Sequence, residues 1–351
     1  MGENEVRVAW EPLQQFTQEV FVRAGLPPKD AATEAEVLIW ANLRGVDSHG
    51  VQRIASYVKN MAAGYMNPQP NIRIVQETAA TLLIDADHAL GPVVTVWAME
   101  RAIQKAREAG IGWALLRNTT HQGAMGYYAQ MAAQKDMAGL AWVCSPPNMA
   151  PYGARAAGVH NSPIAIAVPR KGRRPMILDM ATSVAAGGKV DMAIDKGIPI
   201  PEGWAIDKDG RPATDPRLVA ALLPAGGYKG YGLALMFECL SSLMVGNPLL
   251  SPRLLGQQDA PAPGSQNSVV AAINIAFFTE VERYKENVDL LVGALKALPK
   301  TPGSDEILVP GEPEERVYEE RLQHGIPLPP GTVQKMRDVA QKLGVELPDG
   351  L

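Results

Sequence analysis

Ten consecutive positions, RGVDSHGVQR at 44–53, hold two arginines, an aspartate, a serine and a histidine, directly after the apolar run AEVLIWANL. A second histidine, His121, stands in the polar stretch NTTHQGAMGYY. Imidazole is the side chain that gives and takes a proton near neutral pH, and a guanidinium presents a planar fork that matches a carboxylate. On position alone, an equally open reading is that His49 and His121 each cap a neighbouring backbone group. The remaining histidines, His88, His160 and His324, have weaker contexts and read as structural. A third stretch, GGYKGYG at 226–232, sets one lysine among glycines at the start of an apolar segment. Such a turn lets backbone amides approach an anion while the helix start and Lys229 supply positive charge, which suits a phosphate; a plain flexible turn is the alternative. DMATS at 179–183 puts small hydroxyl residues after the strand-like MIL.

Several chemistries are missing. No G-x-G-x-x-G follows a strand, no Walker loop is present, and G-x-S-x-G is absent. Metal-ligand spacing is absent as well: there is no C-x-x-C, no H-x-x-x-H and no compact carboxylate cluster.

The elements that must position these residues change character along the chain. Leu13, Phe16, Val20 and Phe21 recur at helical spacing before Gly25 and Pro27, a second helix is expected from about Ala31 to Leu43, and QRIASYVKNMAAG reads as a third, ending at Gly64. RGVDSHGVQR is thus a junction between helices. From about residue 72 the period shortens: IRIVQ, TLLIDA, GWALLR, LAWVCS, SPIAIAVPR and PMILDM read as strands, with GPVVTVWAMERAIQKAREAG a helix closed by Gly110. RKGRR at 170–174 reads as a solvated turn between two of them. YGLALMFECLSSLMVG at 231–246 is apolar nearly all round and reads as a buried helix. QQDAPAPGSQN reads as a loop before a strand SVVAAINIAFF, and helices return from about residue 312.

The chain has 351 residues, 46% of them hydrophobic, enough for one large or two modest domains with a sizeable core. A net charge of −4 with scattered basic residues offers no field for nucleic acid or anionic lipid, so the expected partner is a small molecule. The opening MGENEVRVAWEPL lacks the basic-then-apolar order of a signal peptide, and no apolar run approaches the roughly 18 residues of a membrane span. Only two cysteines, Cys144 and Cys239, occur, each in an apolar segment; a cytoplasmic protein is the expectation.

Eight collinear segments are similar to the malate/L-lactate dehydrogenase-like NAD(P)-dependent oxidoreductases: RGVDSHGVQRIASY, NTTHQGAMGYYA, SPPNMAPYGA, SPIAIAVP, ILDMATSVAAGGK, PEGWAIDKDGRPATDP, GYKGYGLAL and VPGEPEERVYEERLQHGIPLP. The resemblance implies an α/β, non-Rossmann fold with a largely antiparallel central sheet. By it, residues 71–309 form the NAD(P)-binding sheet domain, and residues 1–70 with 310–351 a helical domain built from both termini. It also implies a homodimer with active sites near the subunit interface, and a carboxylic acid substrate.

Residue by residue, the resemblance makes Ser48 and His49 an active-site pair, Arg53 the grip on the substrate carboxylate, and Tyr57 their neighbour one helical turn on. His121 matches the histidine beside the nicotinamide, the choice for proton donor and acceptor. Ser145, Asp179, Met180, Ala181, Thr182, Ser183, Lys229, Gly230, Gly311, Glu312 and Pro313 correspond to cofactor contacts, with NAD or NADP left undecided. Three positions depart from the family pattern: Gln122 where many relatives carry an aromatic residue, Tyr228 where a histidine is common, and Ser162 in place of an asparagine. The expected function is interconversion of a 2-oxo acid and a 2-hydroxy acid. The alternatives are reduction of a cyclic imine carboxylate (piperideine- or pyrroline-2-carboxylate) and a nucleotide-binding protein that has lost catalysis; survival of both histidines and Arg53 argues against the last.

Overall fold

The computed structural model describes residues 5–258, 260–262 and 264–351; positions 259 and 263 of the expected QQDAPAPGSQN loop, and the first four residues of the chain, lie outside the described residues. A short strand β1 (Val6–Val8) leads into α1 (Trp10–Arg23), α2 (Pro28–Leu43) and α3 (Ile54–Ala62). There follow β2 (Arg73–Glu77), β3 (Thr81–Asp85), α4 (Gly91–Ala109), β4 (Ile111–Thr119), α5 (Gly126–Ala133), β5 (Met137–Cys144), β6 (Ile164–Arg170) and β7 (Arg173–Met180). The next stretch holds α6 (Gly187–Lys196), the two-residue strands β8 (Ala205–Ile206) and β9 (Ala221–Leu222), α7 (Tyr228–Glu238), α8 (Ser251–Leu254), β10 (Gln266–Asn274) and α9 (Val281–Lys296). The chain closes with α10 (Glu312–His324), β11 (Ile326–Leu328) and α11 (Pro330–Leu343).

The centre is a seven-stranded sheet in the order β2-β3-β4-β10-β5-β6-β7. Every neighbouring pair is antiparallel except β3 and β4. β10, inserted from far along the chain, is buried over its first seven residues because it pairs on both edges and is covered on both faces. On one face, alanines 98, 102 and 106 of α4 form a small-residue stripe that lets this helix lie close over Ala114 and Leu116 of β4. On the other, Trp142, Cys144 and Val269 meet Phe237 and Leu249.

The two ends of the chain meet. β1 pairs antiparallel with β11, Val6 opposite Leu328, and Leu13, Phe16, Val20, Phe21, Tyr57, Val333 and Met336 share one apolar cluster. Burying each such side chain contributes about 1.5–3 kcal/mol, so the terminal helices hold each other without a disulfide.

Three differences from the sequence expectation have a local physical cause. Residues 231–246 are not one buried helix: α7 passes into a π-turn at Cys239–Leu243, and Leu233, Met236, Leu240, Leu243 and Met244 are exposed on its outer side. All-round apolarity reports a need for cover, which this chain alone does not meet. The strand before residue 280 stops at Asn274, whose side chain accepts from Ala276 N–H and turns Ile275–Phe277 into a 3-10 turn. Residues 281–296, given no element from sequence, form a helix capped by Glu280, whose carboxylate takes the N–H groups of Glu282 and Arg283.

Candidate active site

α2 delivers the junction to the cleft. Its last turns are buried all round because they serve two cores: Trp40 and Ala41 face the sheet, while Leu38, Ile39 and Leu43 face the terminal helices. Past it the chain folds through two 3-10 turns, Asp47–His49 and Val51–Arg53, before α3 begins. Asp47 holds that path. Its carboxylate takes the Arg321 guanidinium as a fork, at 2.6 and 3.0 Å, and the Asn42 amide at 2.6 Å. Asn42 Oδ1 in turn accepts Val51 N–H at 2.8 Å, an approach that only glycine at position 50 permits, since a Cβ there would stand 2.1 Å from that oxygen. Arg44 is buried beside the Trp40 ring and reaches Glu315 at 3.4 Å. The polar chemistry of RGVDSHGVQR therefore divides: Arg44 and Asp47 hold the fold, and Ser48, His49 and Arg53 gather elsewhere.

Ser48 Oγ lies 2.8 Å from His49 Nδ1, and Arg53 Nε donates to the Ser48 carbonyl at 2.6 Å. Arg53 has no carboxylate within 4.0 Å among the described residues, so its charge is open to a ligand. Tyr57, four residues on, places its hydroxyl 2.5 Å from His121 Nδ1. The His49 and His121 rings stack with centroids 5.3 Å apart. The structure thus unites all five residues, with Tyr57 and His121 bonded across 64 positions of sequence. The loop carrying His121 leaves the end of β4 and is fixed from beneath. Thr120 Oγ1 donates to Ala89 O at 2.9 Å, Tyr128 donates to Gln122 O, and the bare Cα of Gly91 lets the His121 carbonyl lie against α4. Gln122 turns inward, donating to Ser268 on β10 at 2.9 Å, rather than into the cleft.

The histidines are crowded by protein yet keep part of their surface open, as side chains on a cleft wall do. That crowding, with Arg53 adding to it, pushes His49 down to about 4. Burial, then His49, Arg53 and His160, pushes His121 well below the usual imidazole range. This corrects the expectation of a titration near neutral pH in the free protein: a charged imidazole would be poorly solvated beside an unpaired guanidinium. Burial raises the Tyr57 phenol, so it keeps its proton and donates. Gly123 N–H also points at His121 Nδ1, at 3.4 Å. With two donors on Nδ1, the ring proton is assigned to Nε2.

The second wall is made largely of backbone. Ala225 N–H donates to Thr182 O at 2.8 Å and Val184 N–H to Leu223 O at 2.9 Å, so DMATS runs beside the turn that opens α7. Lys229 stands exposed in the first turn of α7, with no carboxylate within 4.0 Å among the described residues, and Gly230 packs on Thr182 O. The Thr182 hydroxyl is buried without a partner. Asp179 stands exposed at the end of β7 and accepts Gly126 N–H at 2.7 Å, a bond that together with Arg44 favours its charged form. Gly311 lies against Ile177 of β7, which brings the 311–313 turn to the same strand. Glu312 is already engaged, by Lys296 at 2.7 and 2.8 Å and by Val309 N–H at 3.2 Å, so that turn offers backbone rather than a free carboxylate. Ser145 follows β5, half-buried; Met180 is exposed, Ala181 half-buried and Ser183 buried. An unpaired cation, a helix start and an unpartnered hydroxyl fit the phosphates and hydroxyls of a dinucleotide.

Sequence reasoning missed Asn42, Arg321 and His160. Arg321 and Asp47 are 274 positions apart, and no local pattern links them. His160, read as structural, lies near enough to disfavour charge on His121.

The model of the malate/L-lactate dehydrogenase family matches residues 8–337. The L-sulfolactate dehydrogenase of Methanocaldococcus jannaschii is 39% identical over 99% of this chain and 98% of its own length. The malate dehydrogenase structure from Entamoeba histolytica superposes with a TM-score of 0.93 at 28% identity, covering 98% of this chain and all of that one (100%). The delta1-piperideine-2-carboxylate reductase of Pseudomonas syringae pvar. tomato superposes with a TM-score of 0.81 at 28% identity, over 95% of this chain and 99% of its own. The chain belongs to the malate/L-lactate dehydrogenase family. It is an NAD(P)-dependent oxidoreductase, with the largely antiparallel sheet that the motif resemblance implied.

Proposed function

We propose that this cleft interconverts a small 2-oxo acid and the corresponding 2-hydroxy acid, with His121 as the proton-transfer group and Arg53 as the carboxylate clamp. The observation that carries the reading is the unpaired Arg53 beside two stacked, uncharged imidazoles, one of them held at Nδ1 by Tyr57. Ser145, the 179–183 segment, Lys229 with Gly230 and the 311–313 turn would hold a nicotinamide dinucleotide, which would supply or accept the hydride. Arg53 grips the carboxylate with two hydrogen bonds and so fixes which face of the carbonyl is presented. His121 Nε2, the nitrogen that Tyr57 leaves free, faces the oxygen that gains or loses the proton. Ser48 and His49 complete the pocket around that oxygen. The carboxylate brought in by the substrate also offsets the Arg53 charge, easing protonation of both imidazoles when the cleft is filled.

A second reading, reduction of a cyclic imine carboxylate, draws support from the likeness to the piperideine-carboxylate reductase structure. It needs the same hydride, clamp and proton. Turnover with pyruvate, 2-oxoglutarate, oxaloacetate and the cyclic imine, each with NADH and with NADPH, separates the two readings and decides the nucleotide. Nucleotide binding without turnover on any of them would leave only a binding protein.

The exposed leucines and methionines of 233–244 support a homodimer that covers this face, since monomers seldom leave so continuous an apolar strip to water. Light scattering on the parent and on Met236→Glu checks it: a dimer and a monomer are expected. A parent that sediments as a monomer would remove the proposal. The shared cluster of α1, α3 and α11 and the β1–β11 pairing support reading both termini as one helical unit beside the sheet.

A further inference from the structure

Glu34 sits on α2 and is 0% exposed, the only carboxylate among the described residues so fully enclosed. Neither of its oxygens has a hydrogen-bond partner. It is not misplaced at random. Val37, one turn further along the same helix, packs against the glycine at 123, two residues past His121. Glu34 lies near enough to the hydroxyls of Tyr57 and Tyr128 for its charge to act on both. Tyr128 donates to the Gln122 carbonyl and has the Thr95 hydroxyl beside its oxygen, whereas Tyr57 donates to His121 and has, among the described residues, no second hydrogen-bonding side chain at its oxygen. A fully buried acid with no partner thus lies within electrostatic reach of a phenol oxygen that accepts no hydrogen bond, and a turn of the Glu34 side chain is what the link between them requires.

We infer that Glu34 is a buried proton reserve for the reaction, a positioning residue that turns its acid O–H onto Tyr57 and acts on His121 through it. The inference rests on the reading of His121 as the proton-transfer group. As hydride reaches the carbonyl carbon, the new alkoxide takes the proton from His121 Nε2. His121 Nδ1 takes the Tyr57 proton, and Tyr57 takes that of Glu34. One O–H bond breaks at Glu34 and one forms on the product; the imidazole exchanges one neutral tautomer for the other and Tyr57 ends as it began. The negative charge passes from the alkoxide to the Glu34 carboxylate, which accepts the Tyr57 hydroxyl it has just protonated. Once product leaves, His121 Nε2 takes a proton from solvent in the open cleft, its Nδ1 proton returns to Tyr57 and the Tyr57 proton to Glu34, which resets the site; oxidation of the hydroxy acid runs the same steps in reverse. This route answers a difficulty of the site: an imidazole held uncharged in low dielectric is a poor acid unless its second nitrogen is protonated as the first gives up its proton. Burial keeps the Glu34 carboxyl protonated well above the usual carboxylate range.

The test uses the full-length enzyme. Glu34→Gln keeps the shape and removes the acidic proton. Its kcat for reduction is expected to fall by about tenfold or more, with KM and nucleotide affinity unchanged. The dependence of the parent's kcat on deuterium fraction should be curved, as several protons in motion require, and that of Glu34→Gln straight. Glu34→Leu should lose as much kcat while melting no lower than the parent, since it removes an unpartnered buried polar group. In a Tyr57→Phe background, Glu34→Gln should cost nothing further, because the link is already cut. A Glu34→Gln kcat within twofold of the parent, or a full additional loss in the Tyr57→Phe background, overturns the inference. His121→Asn runs alongside: if that variant keeps its activity, the reading of His121 itself fails, whereas an impaired His121→Asn beside a normal Glu34→Gln sinks the proton reserve alone.

Discussion

The two walls of the cleft are built by opposite means. The wall formed by residues 48–57 and His121 consists of side chains whose hydrogen bonds run from one to the next: Ser48 to His49, Arg53 to the Ser48 carbonyl, Tyr57 to His121. The wall formed by 179–184 and 223–230 is mainly backbone paired with backbone, with Lys229 as its one unpaired cation. A side-chain wall is sensitive to residue identity, because a changed group takes its chemistry with it. A backbone wall tolerates exchange wherever the path of the chain survives, and it suits a cofactor bound the same way in every turnover. Mutations in the two should therefore separate rate from nucleotide affinity.

The largest separation is expected at His121. Replacing it with asparagine should lower kcat by roughly 10²- to 10⁴-fold, the usual contribution of general acid–base help, while nucleotide binding measured by calorimetry stays intact. A comparable loss of nucleotide affinity would place His121 on the wrong wall. Arg53→Lys comes next. It keeps the charge but loses the fork, so kcat/KM for the acid should drop by about tenfold or more with the nucleotide Kd barely moved. A lysine variant equal to the parent would end the clamp assignment.

On the backbone wall, Lys229→Ala should weaken nucleotide binding by roughly 1–3 kcal/mol, the scale of a hydrogen bond to a charged group. The KM for the acid at saturating nucleotide should hardly change. Unchanged nucleotide affinity would mean that the turn binds by shape alone.

The smallest effect concerns pH. His49 titrates at about 4 in the native protein, below the ordinary imidazole value of 6.5. The native state therefore prefers it neutral, and the stability associated with it is complete above pH 6.5 and is lost as pH falls toward 4. Glu34, raised by burial, acts with the other sign: the native state takes up its proton first, so acidification relieves a cost. The parent's curve mixes these contributions, and His49→Asn removes one of them. Between pH 7 and pH 5 the Tm of the variant should fall less than that of the parent, by about 1–3 °C. Equal falls would mean that His49 is solvated in the native protein.

The two walls also differ in how far they could be read in advance. The helix ending at Leu43, the junction after it and the strand ahead of His121 follow from local periodicity, because apolar spacing and breakers act over a few residues. So does the turn at RKGRR, which the structure places between Arg170 and Arg173. The meeting of Tyr57 with His121 follows from no local pattern, since a hydrogen bond leaves no periodic trace in sequence. The exposed face of 233–244 misled for a related reason: hydropathy reports what a segment avoids, and its cover need not come from the same chain.

By itself, the sequence determined the helical ends, the strand-rich middle, the residue types able to move a proton and hold a carboxylate, and, through eight collinear motifs, the family. These are short-range or compositional properties, written into neighbouring residues. Tertiary structure alone decided which polar residues of RGVDSHGVQR are anchors and which are reagents. Arg321 claims Asp47, Glu315 reaches Arg44, and Arg53 is left without a carboxylate partner. It also decided the charge state of the imidazoles. Ionisation depends on how much water and which charges surround a group, and those surroundings, the turns carrying His49 and Arg53, the loop after β4 and the segment carrying His160, come together only when the chain has folded.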